Sequence, residues 1–184
     1  ITLDNRDKVY APTDGYISSF DQSLPIYADS PYIDNTFQFS KYQLITKNAV
    51  GAFKLYAATV TGLGNKDVRL NKRKNLPSRK MRGFEPGKIG PKDGDDHVGG
   101  NYAYASNVEL ALPKLLPNNT NTDISLFLDV GNVWSVDYDS AIDASNKVRS
   151  SAGINVSWTS PIGPMTFILS QNLSKTSTDV TEAF

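Results

Sequence analysis

Arg82 offers the most specific chemistry in this chain of 184 residues. It lies in Met81-Arg82-Gly83-Phe84, and ten of the nineteen Lys and Arg residues fall between Lys66 and Lys92. A guanidinium stays charged at any working pH, and its planar fork bonds both oxygens of one carboxylate. Gly83 permits a tight backbone beside it, and Phe84 supplies an apolar anchor. The segment 61–100 reads as one long loop, and loops of about forty residues without their own secondary structure are usually functional or disordered. Glu109 and Asp129, further along, are the carboxylates placed to receive the cation. The pattern predicts a loop that folds back onto a β-structure and is pinned there by charge. The plain alternative is an arginine on a solvated loop.

Those carboxylates sit in strands. Tyr102, Tyr104, Ser106, Val108, Leu110 and Leu112 fall on one face, with Asn101, Ala103, Ala105, Asn107, Glu109 and Ala111 on the other. The next segment sets Ile124, Leu126, Leu128 and Val130 against Asp123, Ser125, Phe127 and Asp129. A third sets Val148, Ala152, Ile154, Val156 and Trp158 against Arg149, Ser151, Gly153, Asn155 and Ser157. Period-two alternation marks strands with unlike faces. Glu109, Phe127 and Asp129 therefore share the polar side.

Periodicity alone does not say which face meets water. In a soluble sandwich the apolar face is the core; in a membrane barrel it meets lipid and the polar face lines the lumen. Three features favour the barrel. Tyr16, Tyr102, Trp134 and Trp158 lie near strand ends, as an interfacial girdle requires. Short turns, such as 11–15 and 159–163, alternate with long polar loops. The polar face carries small residues rather than the Lys and Glu of a solvated sheet. Strands are expected near 1–7, 16–25, 35–45, 50–60, 101–112, 122–134, 147–158 and 164–173, with long connections at 26–34, 61–100, 135–146 and beyond 174.

Composition narrows the chemistry further. With no cysteine, disulfides and thiolate metal sites are excluded, and the single His97 leaves little for histidine-based catalysis. The net charge is zero, so no global field attracts nucleic acid, and the basic loop lacks the interleaved aromatics that stack bases. Asp93, Asp95 and Asp96 around Gly94 lack the spacing and closing Glu of a calcium loop. No serine occupies a nucleophile elbow. No apolar run approaches the roughly 18 residues of a spanning helix, which leaves membrane strands open. Neither an enzyme nor a cofactor or metal site is expected.

The chain resembles the BamA family of outer-membrane β-barrel assembly insertases, in the C-terminal part of the barrel domain. Met81-Arg82-Gly83-Phe84 is similar to the family's Val-Arg-Gly-Phe loop motif, with methionine in place of the usual valine. Ile89-Gly90-Pro91, Gly99-Gly100-Asn101, Phe127 to Trp134, Trp158 to Pro164, and Asp4 to Asp7 with Pro12 to Gly15 match the family in order. The Gly-Gly pair that usually precedes the motif is not evident.

The resemblance covers residues 1–184 and implies an all-β, antiparallel transmembrane barrel of the bacterial outer membrane. About eight strands of a barrel of roughly sixteen would lie here, with the early strands, the periplasmic POTRA domains and the closing strand, which Phe184 would begin, outside the chain. It implies an insertase that folds and inserts β-barrel proteins. Arg82 would pair with Glu109 and Asp129 while Phe127 packs beside it. Partners would be client barrel proteins, outer-membrane lipids including lipopolysaccharide, and accessory lipoproteins reached through the periplasmic domains. A TamA-like or two-partner secretion barrel is the near alternative. A soluble β-sandwich that binds carbohydrate or protein is the distant one.

Overall fold

The structure, a computed structural model, describes every residue except 26, 28, 114, 117–119, 143–145, 183 and 184. The expected strand start at Phe184 thus lies outside the described residues. Eight strands form one antiparallel sheet in simple hairpin order. They are β1 (Thr2–Asp4), β2 (Gly15–Ser23), β3 (Tyr32–Thr46), β4 (Ala49–Gly62), β7 (Tyr102–Leu112), β8 (Thr122–Trp134), β9 (Arg149–Ser160) and β10 (Gly163–Ser174). A separate small hairpin, β5 (Lys92–Asp93) with β6 (Asp96–His97), lies within the long loop. Strands of 12 to 15 residues, as in β3, β4, β8, β9 and β10, are long enough to cross a bilayer when tilted, a crossing that needs about ten. Among the described residues no helix is long and apolar enough to cross a membrane.

Register carries the apolar row from strand to strand. Phe53 pairs with Val108 and Val108 with Leu128, while Leu126 pairs with Ile154 and Ile154 with Leu169. Phe53, Val108, Leu126, Leu128, Ile154, Phe167 and Leu169 are each between 38% and 53% exposed. Among the described residues no second sheet covers them, which overturns the sandwich alternative. A contiguous apolar face of this kind is tolerated where acyl chains replace water.

Aromatics mark both rims of this belt. Tyr102 stacks on Trp134 at 5.5 Å between ring centroids, and Tyr104 meets Trp134 edge-on, on the side of the long loops. Tyr16 stacks on Phe39 at 6.2 Å on the side of the short turns, where Trp158 pairs across from Met165. Amphipathic rings at both levels suit the two membrane–water interfaces.

The opposite face is where the core lies. Asn107, Ser125, Asp129 and Ser151 are buried there, beneath the long loop. Leu76, Met81, Phe84 and Ile89 of that loop pack with Ala103, Ala105 and Val133 of the wall into a buried cluster. Small wall residues leave room for the loop's larger ones.

Two expectations need correction. The long loop is not without structure, since it holds single 3-10 turns at Leu70–Lys72 and Ser78–Lys80 besides the β5–β6 hairpin. The turns on the short side are also unequal. Those at 47–48 and 161–162 are tight, whereas 5–14 and 113–121 are longer.

In the 5–14 turn, Asp7 stands in for a tighter backbone. Thr13 donates its hydroxyl to one Asp7 oxygen at 2.5 Å, and the Thr13 and Asp14 amides donate to the other at 2.9 and 3.1 Å. The Thr13 hydroxyl, then the Asp14 amide, hold the Asp7 carboxyl down to about 2. A depressed carboxyl contributes order above its unfolded value and loses it as pH falls through the folded one. The turn should therefore keep its order at pH 4 and lose it between about pH 4 and pH 2. An NMR titration of the Asp7 carboxyl in micelles checks this, and a midpoint near the ordinary 3.8 would contradict it.

Candidate functional site

Two neighbouring rows of the sheet's inner face form the floor of the site. One runs Lys54, Asn107, Asp129, Ser151, Asn172 across β4, β7, β8, β9 and β10. The other runs Ala52, Glu109, Phe127, Gly153, Ser170 across the same strands. Hydrogen-bond register thus lines up a polar track and, beside it, one aromatic ring.

The tip of the long loop lies on that track. Arg82 donates from Nε and Nη2 to the two oxygens of Asp129, both at 2.7 Å, and its amide donates to Asp129 Oδ2 at 3.1 Å. The Arg82 side chain is 8% exposed and that of Asp129 is fully buried. Asn107 adds a donor to Asp129 Oδ1 at 2.8 Å and reaches the Lys80 carbonyl at 2.9 Å. The carboxylate therefore receives four donors, enough to satisfy a buried anion.

Glu109 takes a lesser part than the sequence suggests. Its Oε2 lies 3.7 Å from Arg82 Nη1, an ion pair without a short hydrogen bond, and 3.0 Å from Lys54 Nζ. Lys54 is its closer partner, which sequence reasoning did not assign. Phe127 lies under the guanidinium, with Arg82 Cζ 3.7 Å from the ring centroid, a cation–π contact in a desolvated place.

The backbone of the tip is held as firmly as the side chain. Ser151 donates its hydroxyl to the Arg82 carbonyl. Asn172 Nδ2 donates to the Gly83 carbonyl at 2.8 Å. Gly83 has φ +88°, and a β-carbon there would approach Ser170 Oγ at 3.0 Å and Asn172 Oδ1 at 3.1 Å. Both the dihedral and the space require glycine. Phe84 is buried in the loop–wall cluster together with Met81.

Part of the basic loop is tied down as well, while Lys66, Arg69, Lys72 and Arg79 are exposed. Arg73 is buried, donates to Asp137 Oδ1 at 2.7 Å and stacks over Tyr138 at 4.6 Å. Lys74 donates to both oxygens of Asp34 at 2.6 Å, and Lys80 lies 5.3 Å over the Tyr56 ring. Burial opposes ionisation of Asp137, but the Val68 amide, Asn101 and Arg73 outweigh it and hold the carboxyl below its ordinary value. Burial also lowers Lys80, with the Lys54 charge adding to it. His97 contacts the Thr178 carbonyl at 3.1 Å, and burial keeps its ring below the ordinary imidazole value. Among the described residues no group of three or more His, Cys, Asp or Glu residues is placed to hold a metal ion.

Sequence parity put Asn107, Ser151 and Gly153 on the floor face without a role. What parity withholds is register, and register is what brings them under the loop tip.

The comparisons agree with this fold. A family model described as the Omp85 superfamily domain matches residues 1–184. The outer membrane protein assembly factor BamA of Neorickettsia risticii is 28% identical over 166 residues, covering 88% of this chain and 22% of that protein. That of Neisseria meningitidis serogroup B is 31% identical over 131 residues, covering 56% of this chain and 16% of that protein. The crystal structure of BamA from Haemophilus ducreyi lacking POTRA domains 1–3 superposes with a TM-score of 0.86 at 28% identity, over 99% of this chain and 39% of that one. The chain thus spans about a fifth of the length of the curated relatives it matches.

Proposed function

This chain belongs to the Omp85 superfamily, and we propose that it supplies barrel wall and loop latch to an insertase that folds and inserts β-barrel proteins into the bacterial outer membrane. Its place is that membrane, with the Phe53–Val108–Leu128 face toward lipid. The observation that carries the reading is the seating of the Arg82 tip on Asp129 across five strands of the inner face. The relatives' shared name, outer membrane protein assembly factor, supports the activity.

In this reading the latch does no bond-making chemistry, and the protein is not an enzyme. Met81, Arg82, Gly83 and Phe84 clamp the loop to Glu109, Phe127 and Asp129, so the wall keeps one shape while a client is templated. Clients are outer-membrane β-barrel proteins. Lipids, lipopolysaccharide among them, contact the belt and the loop side, and accessory lipoproteins act through periplasmic domains. Neither nucleic acid nor a cofactor has a part.

A chimera tests this. Residues 1–184 replace the matching segment of the Neisseria meningitidis assembly factor in cells depleted of their own copy. Client barrels should reach the outer membrane, and the same chimera carrying Arg82→Ala should lose most of that insertion. A chimera that assembles normally in the membrane yet leaves clients uninserted would overturn the function. Equal insertion by the Arg82→Ala form would overturn the latch.

A further inference from the structure

The chain beyond β10 folds back against the tip of the long loop. The Glu85 amide donates to the Val180 carbonyl at 3.0 Å, the Val180 amide to the Lys88 carbonyl at 3.1 Å, and the Glu182 amide to the Gly83 carbonyl at 3.0 Å. Phe84 and Thr181 form an antiparallel bridge. Residues 179–182 thus act as a strand added to 83–88.

A second buried ion pair fixes this segment. Arg149 Nη2 donates to Asp179 Oδ1 at 2.8 Å, and its Nε lies 3.2 and 3.1 Å from the two Asp179 oxygens. The Arg149 side chain is 3% exposed and that of Asp179 is fully buried. Asn132 accepts from Arg149 Nη1, Thr176 accepts from Nη2 at 3.2 Å, and the Thr176 amide donates to Asp179 at 2.6 Å. So complete a set of donors and acceptors marks a built contact, because a buried charge is tolerated only when it is paired and bonded.

We propose that residues 175–182 are a strap that pairs with the loop tip and ties it to β9 and β10, with Arg149 and Asp179 as its clasp and positioning residues and the Ser170 hydroxyl donating to the Glu182 carbonyl at 3.0 Å. The strap continues directly from β10. Asn172 of that same strand and the Glu182 amide both donate to the Gly83 carbonyl, at 2.8 and 3.0 Å. β10 and the loop tip are therefore tied together through the strap. The inference rests on the tip being the latch.

Trypsin distinguishes the two claims, in outer-membrane vesicles carrying the full protein. The strap bonds the Lys88 carbonyl, so it guards the Lys88–Ile89 bond, while Asp129 guards the Arg82–Gly83 bond. Asp179→Asn unpairs the clasp, and Val180→Pro removes the amide that donates to Lys88. Each should speed cleavage after Lys88 by about tenfold or more, because cleavage follows the open population. The heat-modifiable mobility of the folded barrel should stay unchanged. Unchanged protection of Lys88 in either variant overturns the strap. If Asp129→Asn leaves Arg82 protected as well, the latch itself fails. Should a variant not assemble, Glu85→Cys with Val180→Cys reads the same contact in an otherwise native chain. Oxidative cross-linking is then expected, and its absence overturns the strap.

Discussion

Asp129→Ala is expected to release the 81–84 tip and to cost about 3–5 kcal/mol, the penalty for leaving a buried charge unpaired. Three of the four donors on this carboxylate belong to Arg82, so no other single side-chain loss removes as much. Glu109 cannot take over, because it lies 3.7 Å from the guanidinium and is already engaged by Lys54 at 3.0 Å. Asp129→Asn separates charge from shape. The amide oxygen still accepts two of the four bonds, but the other position becomes a donor facing two donors, so most of the loss should persist. Arg82→Lys should be nearly as damaging, since an ammonium neither forks nor stacks flat on Phe127. Heat-modifiable mobility and trypsin cleavage after Arg82 measure these effects. An Asp129→Ala protein as resistant as the parent would show that the ion pair does not hold the loop.

The reason Glu109, Phe127 and Asp129 could be read from sequence, and Lys54, Asn172 and Asp179 could not, is geometric. Side-chain parity is local. Once 101–112 and 122–134 alternate, the lumen-facing set follows from counting by two. Which residue of β4 lies beside Asn107, or which residue of β10 lies beside Ser151, depends on register, and a slip of two residues leaves parity intact while changing every partner. Asp129 and Glu109 stand on the polar face by parity, and the family resemblance implies them as partners of Arg82. Lys54 sits equally deep but had no assigned face. The strap was missed for a different reason: 175–182 carries no alternation, and its order comes from Arg149 and from backbone donated by the loop. The loop's own packing was hidden as well. Leu76, Met81, Phe84 and Ile89 show no period, because irregular backbone sets their directions one by one.

Gly153→Ala should be nearly as harmful as losing the ion pair, although it adds a single methyl group. A β-carbon at Gly153 would lie 2.1 Å from the Leu169 carbonyl oxygen and 2.7 Å from Phe127 Cζ. The first contact is with backbone of the neighbouring strand, so no rotamer relieves it and β9 must shift against β10. The second presses on the ring that underlies Arg82. Phe127 lies directly across from Gly153 in the register, and the missing side chain is what lets the ring lie down along the wall. Overpacking of this kind costs about 1–3 kcal/mol, and here it falls on both supports of the loop tip at once. Ser151 and Asn172, which hold the Arg82 and Gly83 carbonyls, lie on the distorted pair of strands itself. The expected result is a barrel that still assembles but is cleaved after both Arg82 and Lys88. Phe127→Leu should leave the strand geometry intact and weaken only the stacking, so it should expose Arg82 less than Gly153→Ala does. The reverse order would mean that the glycine matters for the ring alone and not for the seat of the loop.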